Sequence, residues 1–256
     1  MVRLFGTLAL VLSAGVTRTP VRFDAQPAAK VGVVAGYGQL PLHFEPNVGQ
    51  FDPQVRYVTR GAGHTVFLTD AEAVMVMSRG EVQAETAVVH MKLVGARQPA
   101  QWAGLEKLPG ISNYFLGNDP KKWHTDVPNY ARVEAKGVYR GINLAYYGNQ
   151  RKLEYDFIVA SGADPGQVQL AWEGADSLRV NQEGDLVITT RLGEMVQKKP
   201  LVYQQVGGKQ VEVATRYQVL PDQRVKFELA RYDRKRELRI DPVVLVYSTY
   251  LGGERR

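Results

Sequence analysis

The chain reads as an all-β protein of β-sandwich-like architecture, built as two packed β halves. Three observations carry that reading. Short segments rich in β-branched and aromatic residues recur at roughly 8 to 12 residue spacing, glycine, aspartate or proline separates them, and no window sustains the 3.6-residue apolar period of an amphipathic helix. With 256 residues and 45% hydrophobic content, such a chain can bury a sizeable core.

The first half, residues 41–116, carries the segments Val55–Thr59, Thr65–Thr69, Ala73–Met77 and Ala87–Val94. The second half, residues 141–246, repeats the style with Arg151–Val159, Asp185–Thr190, Leu201–Val206, Val211–Leu220, Val225–Ala230 and Glu237–Val246. Between them, Pro109, Gly110, Gly117, Pro120 and Pro128 are mixed with Tyr114, Phe115, Trp123 and Tyr130. That mixture predicts an irregular crossing over residues 117–140, with Tyr114, Phe115 and Trp123 buried to pin it to the core.

At the front, Met1-Val2-Arg3 precedes an apolar run from Leu4 to Leu12 and the small residues Ser13, Ala14 and Gly15. One positive charge, a short apolar stretch and small residues have the order of a secretory signal peptide, here residues 1–15, and the run is too short to span a bilayer. The expected location is secreted or cell-surface. Pro20, Pro27 and the small residues around them mark residues 16–40 as a linker. No later stretch reaches the ~20 apolar residues of a membrane helix, so no membrane span is expected after signal removal.

The chain has no cysteine, which excludes disulfide staples and thiolate metal sites. Its formal charge of +6 arises from 32 basic residues interleaved with 26 acidic ones, a mixed surface rather than a nucleic-acid stripe. Arg231, Arg234, Lys235, Arg236 and Arg239 do cluster around Tyr232-Asp233. A charged hairpin tip is the plainer reading, and contact with an anionic surface polymer is the second.

Candidate chemistry is sparse. Gly61-Ala-Gly63 lacks the third glycine and helix of a dinucleotide loop, and Gly208-Lys209 lacks the rest of a phosphate loop. No serine sits in a nucleophile elbow, and His43, His64, His90 and His124 form no paired metal motif. No catalytic residue, metal or cofactor is expected.

Glu45, Asn47 and Gln50 lie in Phe44-Glu-Pro-Asn-Val-Gly-Gln50, which suits a strand exit and turn, with a ligand role as the alternative. Strand alternation puts Glu154 and Asp156 on one face and Leu153, Tyr155 and Phe157 on the other. Their separation of about 6 to 7 Å is near the carboxylate spacing of inverting glycoside hydrolysis, but any Glu-x-Asp strand has it. A solvated or arginine-paired face is the plainer reading, ahead of a cation or sugar site.

Several phrases are more specific than strand pattern: Phe44-Glu-Pro-Asn-Val-Gly-Gln50, Asn113-Tyr-Phe-Leu-Gly-Asn-Asp-Pro120 with Trp123, Gly141-Ile-Asn-Leu-Ala-Tyr-Tyr-Gly148, Leu153-Glu-Tyr-Asp-Phe157, Ile240-Asp-Pro242 and Tyr247-Ser-Thr-Tyr-Leu-Gly-Gly253. In this order they resemble, over about residues 41–253, the N-terminal domain of unknown function of bacterial secreted proteins with SBBP repeats, a β-propeller type of repeat. They also resemble the head domain of gliding-motility-associated surface proteins. The resemblance implies a head module followed by propeller repeats, with residues 247–256 as the start of the first. One departure is Asn143, where the family pattern favours Asp; a cation held there would be held less well.

The function these readings favour is a non-catalytic structural or interaction module of a surface protein, with a surface protein or polysaccharide as partner. A carbohydrate-binding module is the alternative, marked by exposed coplanar aromatics among Trp102, Trp123 and Trp172. A glycan-active enzyme is the third, requiring Glu154 or Asp156 in a cleft opposite another carboxylate.

Overall fold

The computed structural model describes residues 42–242 except 62, 80–84 and 150–151, together with the backbone of three short outlying strands. Two of these, β1 (Leu8–Leu10) and β2 (Val21–Phe23), pair with each other. The remainder of the expected signal peptide and linker, and residues 249–256 of the expected repeat start, lie outside the described residues.

From residue 42 the elements are β3 (Phe44–Pro46), β4 (Val55–Gly61), β5 (His64–Thr69), β6 (Glu72–Arg79), β7 (Glu85–Leu93), β8 (Gln101–Tyr114), β9 (His124–Tyr139), β10 (Ile142–Asn149) and β11 (Lys152–Val159). They continue with β12 (Gln169–Glu173), β13 (Ser177–Val180), β14 (Leu186–Thr190), β15 (Gly193–Gln197), β16 (Leu201–Val206), β17 (Lys209–Glu212), β18 (Thr215–Val219), β19 (Arg224–Leu229), β20 (Leu238–Asp241) and β21 (Leu245–Ser248). The helical structure described is confined to single 3-10 turns at Pro120–Lys122 and Pro165–Gln167. No helix among the described residues is long and apolar enough to cross a membrane.

The fold is all-β, as the sequence predicts. One sheet of 15 strands runs β17-β16-β20-β11-β10-β9-β3-β4-β5-β6-β7-β12-β19-β18, with β8 added along β9, and a second sheet runs β13-β14-β15-β21. Alternation makes the core. On β7, Ala87, Val89, Met91 and Leu93 are buried while Thr86, Val88, His90 and Lys92 are not, and on β11 Leu153, Tyr155, Phe157 and Val159 face inward.

The large sheet turns back on itself. Phe157 on β11 meets Phe227 on β19 with ring centroids 6.1 Å apart, although eight strands lie between the two in sheet order. Two layers thereby share one core, with Trp172, Tyr146 and Tyr155 among its largest fully buried side chains. The small sheet joins it through Gln197, whose amide donates to the hydroxyls of Tyr155 at 2.9 Å and Tyr217 at 2.7 Å. Gly174 ends β12 at φ +82°, where a Cβ would stand 2.3 Å from the Val88 carbonyl oxygen, so this corner needs glycine on both counts.

Several expected boundaries change. Residues 117–140, expected as an irregular crossing, are mostly β9, and β8 and β9 form one long hairpin. Proline and glycine are tolerated there because β8 is an edge strand and the hairpin is bulged between Lys107 and Ile111. The Val211–Leu220 segment divides into β17 and β18 at Val213, which turns inward to bond the Val202 carbonyl at 2.7 Å. Tyr247 and Ser248, read as the opening of a separate repeat, continue β21, with Tyr247 opposite Met195 of β15.

Candidate functional site

The five candidate residues fall into two groups on the large sheet. Glu45 lies on β3, and Glu154 and Asp156 lie on β11, three strands away in sheet order.

Glu45 is 4% exposed. It accepts from the Tyr114 hydroxyl through one oxygen and from Arg60 Nη1 at 2.8 Å through the other, with His43 Nε2 at 3.4 Å. Burial pushes its carboxyl up, but the hydrogen bonds of His43 and Tyr114 and the charge of Arg60 outweigh that and hold it below the usual carboxylate range. Burial, then the carboxylate itself, raises the Tyr114 phenol well above its ordinary value. The Arg60 guanidinium lies 5.5 Å from the ring centroids of both Phe51 and Tyr114. This is a closed ion pair, and it ties the hairpin to β3 and β4.

Asn47 and Gln50 spend their polar atoms on their own turn. Asn47 Nδ2 donates to the carbonyls of Asp52 at 2.8 Å and Val55 at 3.0 Å, and its Oδ1 accepts from Gly49 and Phe51 N–H groups at 3.1 Å. Gln50 accepts from Val48 N–H at 2.6 Å and donates to the Pro46 carbonyl at 2.8 Å. The turn reading accounts for both residues.

Glu154 and Asp156 are each 4% exposed, so the face they share is not solvated. Tyr147 donates its hydroxyl to Asp156 at 2.8 Å, Asn149 donates to Glu154 at 2.9 Å, and Arg239 approaches Asp156 at 3.7 Å. The arginine-paired half of the expectation fits. A third carboxylate, which sequence reasoning missed, joins them: Phe157 pairs with Ile240, so Asp156 and Asp241 fall side by side on β11 and β20. One oxygen of Asp241 is buried without a hydrogen-bond partner. Burial first, then Asp156 and Glu154, pushes the Asp241 carboxyl up to about 7. Burial also raises Asp156 against the opposing pull of Tyr147, Arg132 and Arg239, and it raises Glu154. No group of three or more His, Asp or Glu side chains among the described residues has the arrangement to hold a metal ion.

The aromatic residues of the β8–β9 hairpin depart from expectation. Tyr114 is half-buried, but Phe115 is 63% exposed and Trp123 38% exposed. They meet edge to face, with centroids 5.1 Å apart and planes at 89°, and Trp123 Nε1 donates to the Gly117 carbonyl at 3.1 Å. Tyr114, the last residue of β8, is held at the turn end of the hairpin by Glu45, and Phe115 and Trp123 flank the turn next to it. Ile111, 52% exposed, continues the apolar surface along β8. Of the other tryptophans, Trp172 is in the core, and Trp102 stacks on Tyr146 and donates to Asp70 at 2.8 Å.

An all-β, sandwich-like domain with exposed aromatic residues at a hairpin turn is the class these features define. A family model described as a domain of unknown function, DUF7948, matches residues 44–243, and the chain belongs to that family. No curated protein and no solved structure matches the chain.

Proposed function

We propose that the domain is a non-catalytic interaction module of a secreted, repeat-bearing bacterial surface protein, and that it contacts its partner through the β8–β9 hairpin. The observation that carries this reading is the exposed Phe115–Trp123 pair. Large apolar side chains are costly to hold in water, and here one of them is fixed by a hydrogen bond beside a turn that Glu45, Arg60 and Tyr114 tie to β3 and β4. Export is supported by the leader-like first 15 residues, and downstream propeller repeats by the resemblance of the phrases between residues 41 and 246 to the head domain of repeat-bearing proteins. Against an enzyme stands the cover over Glu154 and Asp156, which leaves their carboxylates facing Tyr147 and Arg239 rather than an open cleft.

The exposure of Phe115 and Trp123 also favours a second reading, carbohydrate binding at the same tip, since an aromatic face stacks on a sugar ring. Their perpendicular setting offers one ring at a time rather than a flat platform. Both readings meet in one experiment. The double variant F115A/W123A and the parent are compared for retention of envelope proteins and for mobility in gels containing neutral polysaccharides. Loss of either interaction in the variant, with an unchanged thermal melt, is the expected result. Equal retention and equal mobility for parent and variant would remove the hairpin tip from the function.

A further inference from the structure

We propose that the loop between β19 and β20 is a preformed docking surface for an anionic polysaccharide, displaying Arg231, Arg234 and Lys235 as free cations. The loop is exposed from Asp233 to Glu237, and at Arg231 before that. Its two acidic residues are already engaged: Asp233 pairs with Arg236 at 3.0 Å and accepts from the Lys235 N–H at 2.9 Å, and Glu237 pairs with Arg239 at 3.3 Å. Among the described residues Arg231, Arg234 and Lys235 form no ion pair, and only Lys235 is near enough to feel the charge of Asp233, so cations outweigh anions along the loop.

What distinguishes this loop from an ordinary charged tip is its anchoring. The buried Gln204 on β16 accepts from the Asp233 N–H at 2.9 Å and donates to the Asp233 carbonyl at 2.9 Å, with the Glu237 carbonyl at 3.3 Å. From the other side, the Gly162 N–H bonds the Arg234 carbonyl at 2.8 Å. A buried amide thus fixes the backbone on which the cations stand, and a polyanion that binds them pays little for ordering that backbone.

The chemistry selects among polyanions. Nucleic-acid surfaces combine cations with aromatic rings free to stack on bases, and membrane-binding segments carry apolar side chains to insert. Here the single aromatic residue, Tyr232, packs against the core, and no other apolar side chain projects from residues 231–237. What remains is recognition of carboxylate or sulfate groups along a chain, through charge. This surface is separate from the hairpin tip and does not depend on the role proposed for it.

The test is affinity electrophoresis and calorimetry of the full chain with alginate, with neutral dextran, a DNA duplex and phosphatidylglycerol vesicles as separate arms. The expected result is alginate binding that weakens with salt, falls at least about tenfold in R231Q/R234Q/K235Q, and loses about two units of the log–log salt slope. Q204L, which keeps every charge but frees the loop, should also bind more weakly, and F115A/W123A should bind alginate as the parent does. Absent alginate binding at 50 mM salt, a triple variant that binds as the parent does, or tighter binding to DNA or vesicles than to alginate would each overturn the proposal.

Discussion

Asn143 on β10 donates its side-chain amide to Glu134 on β9 at 2.9 Å. Its other atom, Oδ1, accepts from the Gly137 N–H at 2.9 Å, so one side chain supplies a donor and an acceptor across the β-bulge where β9 shifts register against β10. An aspartate at this position could accept from Gly137 but would set a second carboxylate against Glu134. Asn143→Asp is therefore expected to destabilise by about 1–3 kcal/mol at pH 7 and by less near pH 4, where the new pair can take up a proton. Urea unfolding at the two pH values measures this, and an equal loss at both would mean that repulsion from Glu134 is not the cause.

The seam between the two sheets gives a second expectation. Gln197 is fully buried and donates to Tyr155 and Tyr217, while its own carbonyl oxygen has no partner. Gln197→Leu removes both bonds but also that unpartnered acceptor, and Tyr217 keeps its bond to the Lys198 carbonyl at 2.9 Å. The net loss should be about 1 kcal/mol, against about 2–4 kcal/mol for Gln197→Ala, which adds a cavity. In a double-mutant cycle with Tyr155→Phe the losses should fall short of additive by about 1 kcal/mol, and strict additivity would remove the hydrogen bond as the linkage.

How much of this was legible in the sequence depended on whether neighbours in the chain or neighbours in space made the signal. Strands β7 and β11 could be read because their alternation is regular and one face is wholly apolar. Strands β8 and β9 could not, because Pro109, Gly110 and Pro128 look like breakers unless their strand is an edge or bulged, and Glu106 and Asp126 take positive φ without being glycine. The placement of Glu154 and Asp156 on one face followed from the two-residue period. Their burial, and the arrival of Asp241 beside them, came from the pairing of β20 with β11, for which the Ile240-Asp-Pro phrase carries no short-range sign beyond a strand end.

Glu45 ties acid stability to the turn end of the β8–β9 hairpin. Because its carboxyl lies below the usual range in the folded protein, its contribution is present above the unfolded value of 4.5 and is lost as pH falls through the folded value. Glu45→Gln keeps the shape but leaves Arg60 without its charged partner, for a loss of about 2 kcal/mol at pH 7. As pH falls from the unfolded value through the lower folded one, the parent loses the same stabilisation and the two should draw together. Unfolding free energies that stay parallel from pH 7 down into acid unfolding would show that the ion pair is not what holds this end of the hairpin.

Asp241 should act in the opposite direction. In the unfolded chain its carboxyl ionises near the ordinary 3.8, whereas burial and the carboxylates of Asp156 and Glu154 push it up to about 7 in the folded protein. Between about pH 4 and pH 7 the folded state therefore holds more protons than the unfolded state, and stability falls as pH rises through that window. The proton belongs to the coupled group rather than to one residue, since Asp156 and Glu154 are raised as well. Asp241→Asn cannot ionise and offers an amide donor toward Asp156, so it should match the parent near pH 4 and exceed it increasingly up to pH 8. A melting temperature higher by about 4 °C or more at pH 8 is the expected scale for a domain of this size. Asp156→Asn relieves the same repulsion but also loses the charge that Arg239 and Tyr147 serve, so its gain should be smaller. Melts of the parent and both variants at half-unit steps from pH 4 to pH 8 decide the matter: if D241N and the parent show the same pH slope between pH 5 and pH 7, Asp241 is ionised throughout and the crowding of carboxylates on this face carries no pH dependence.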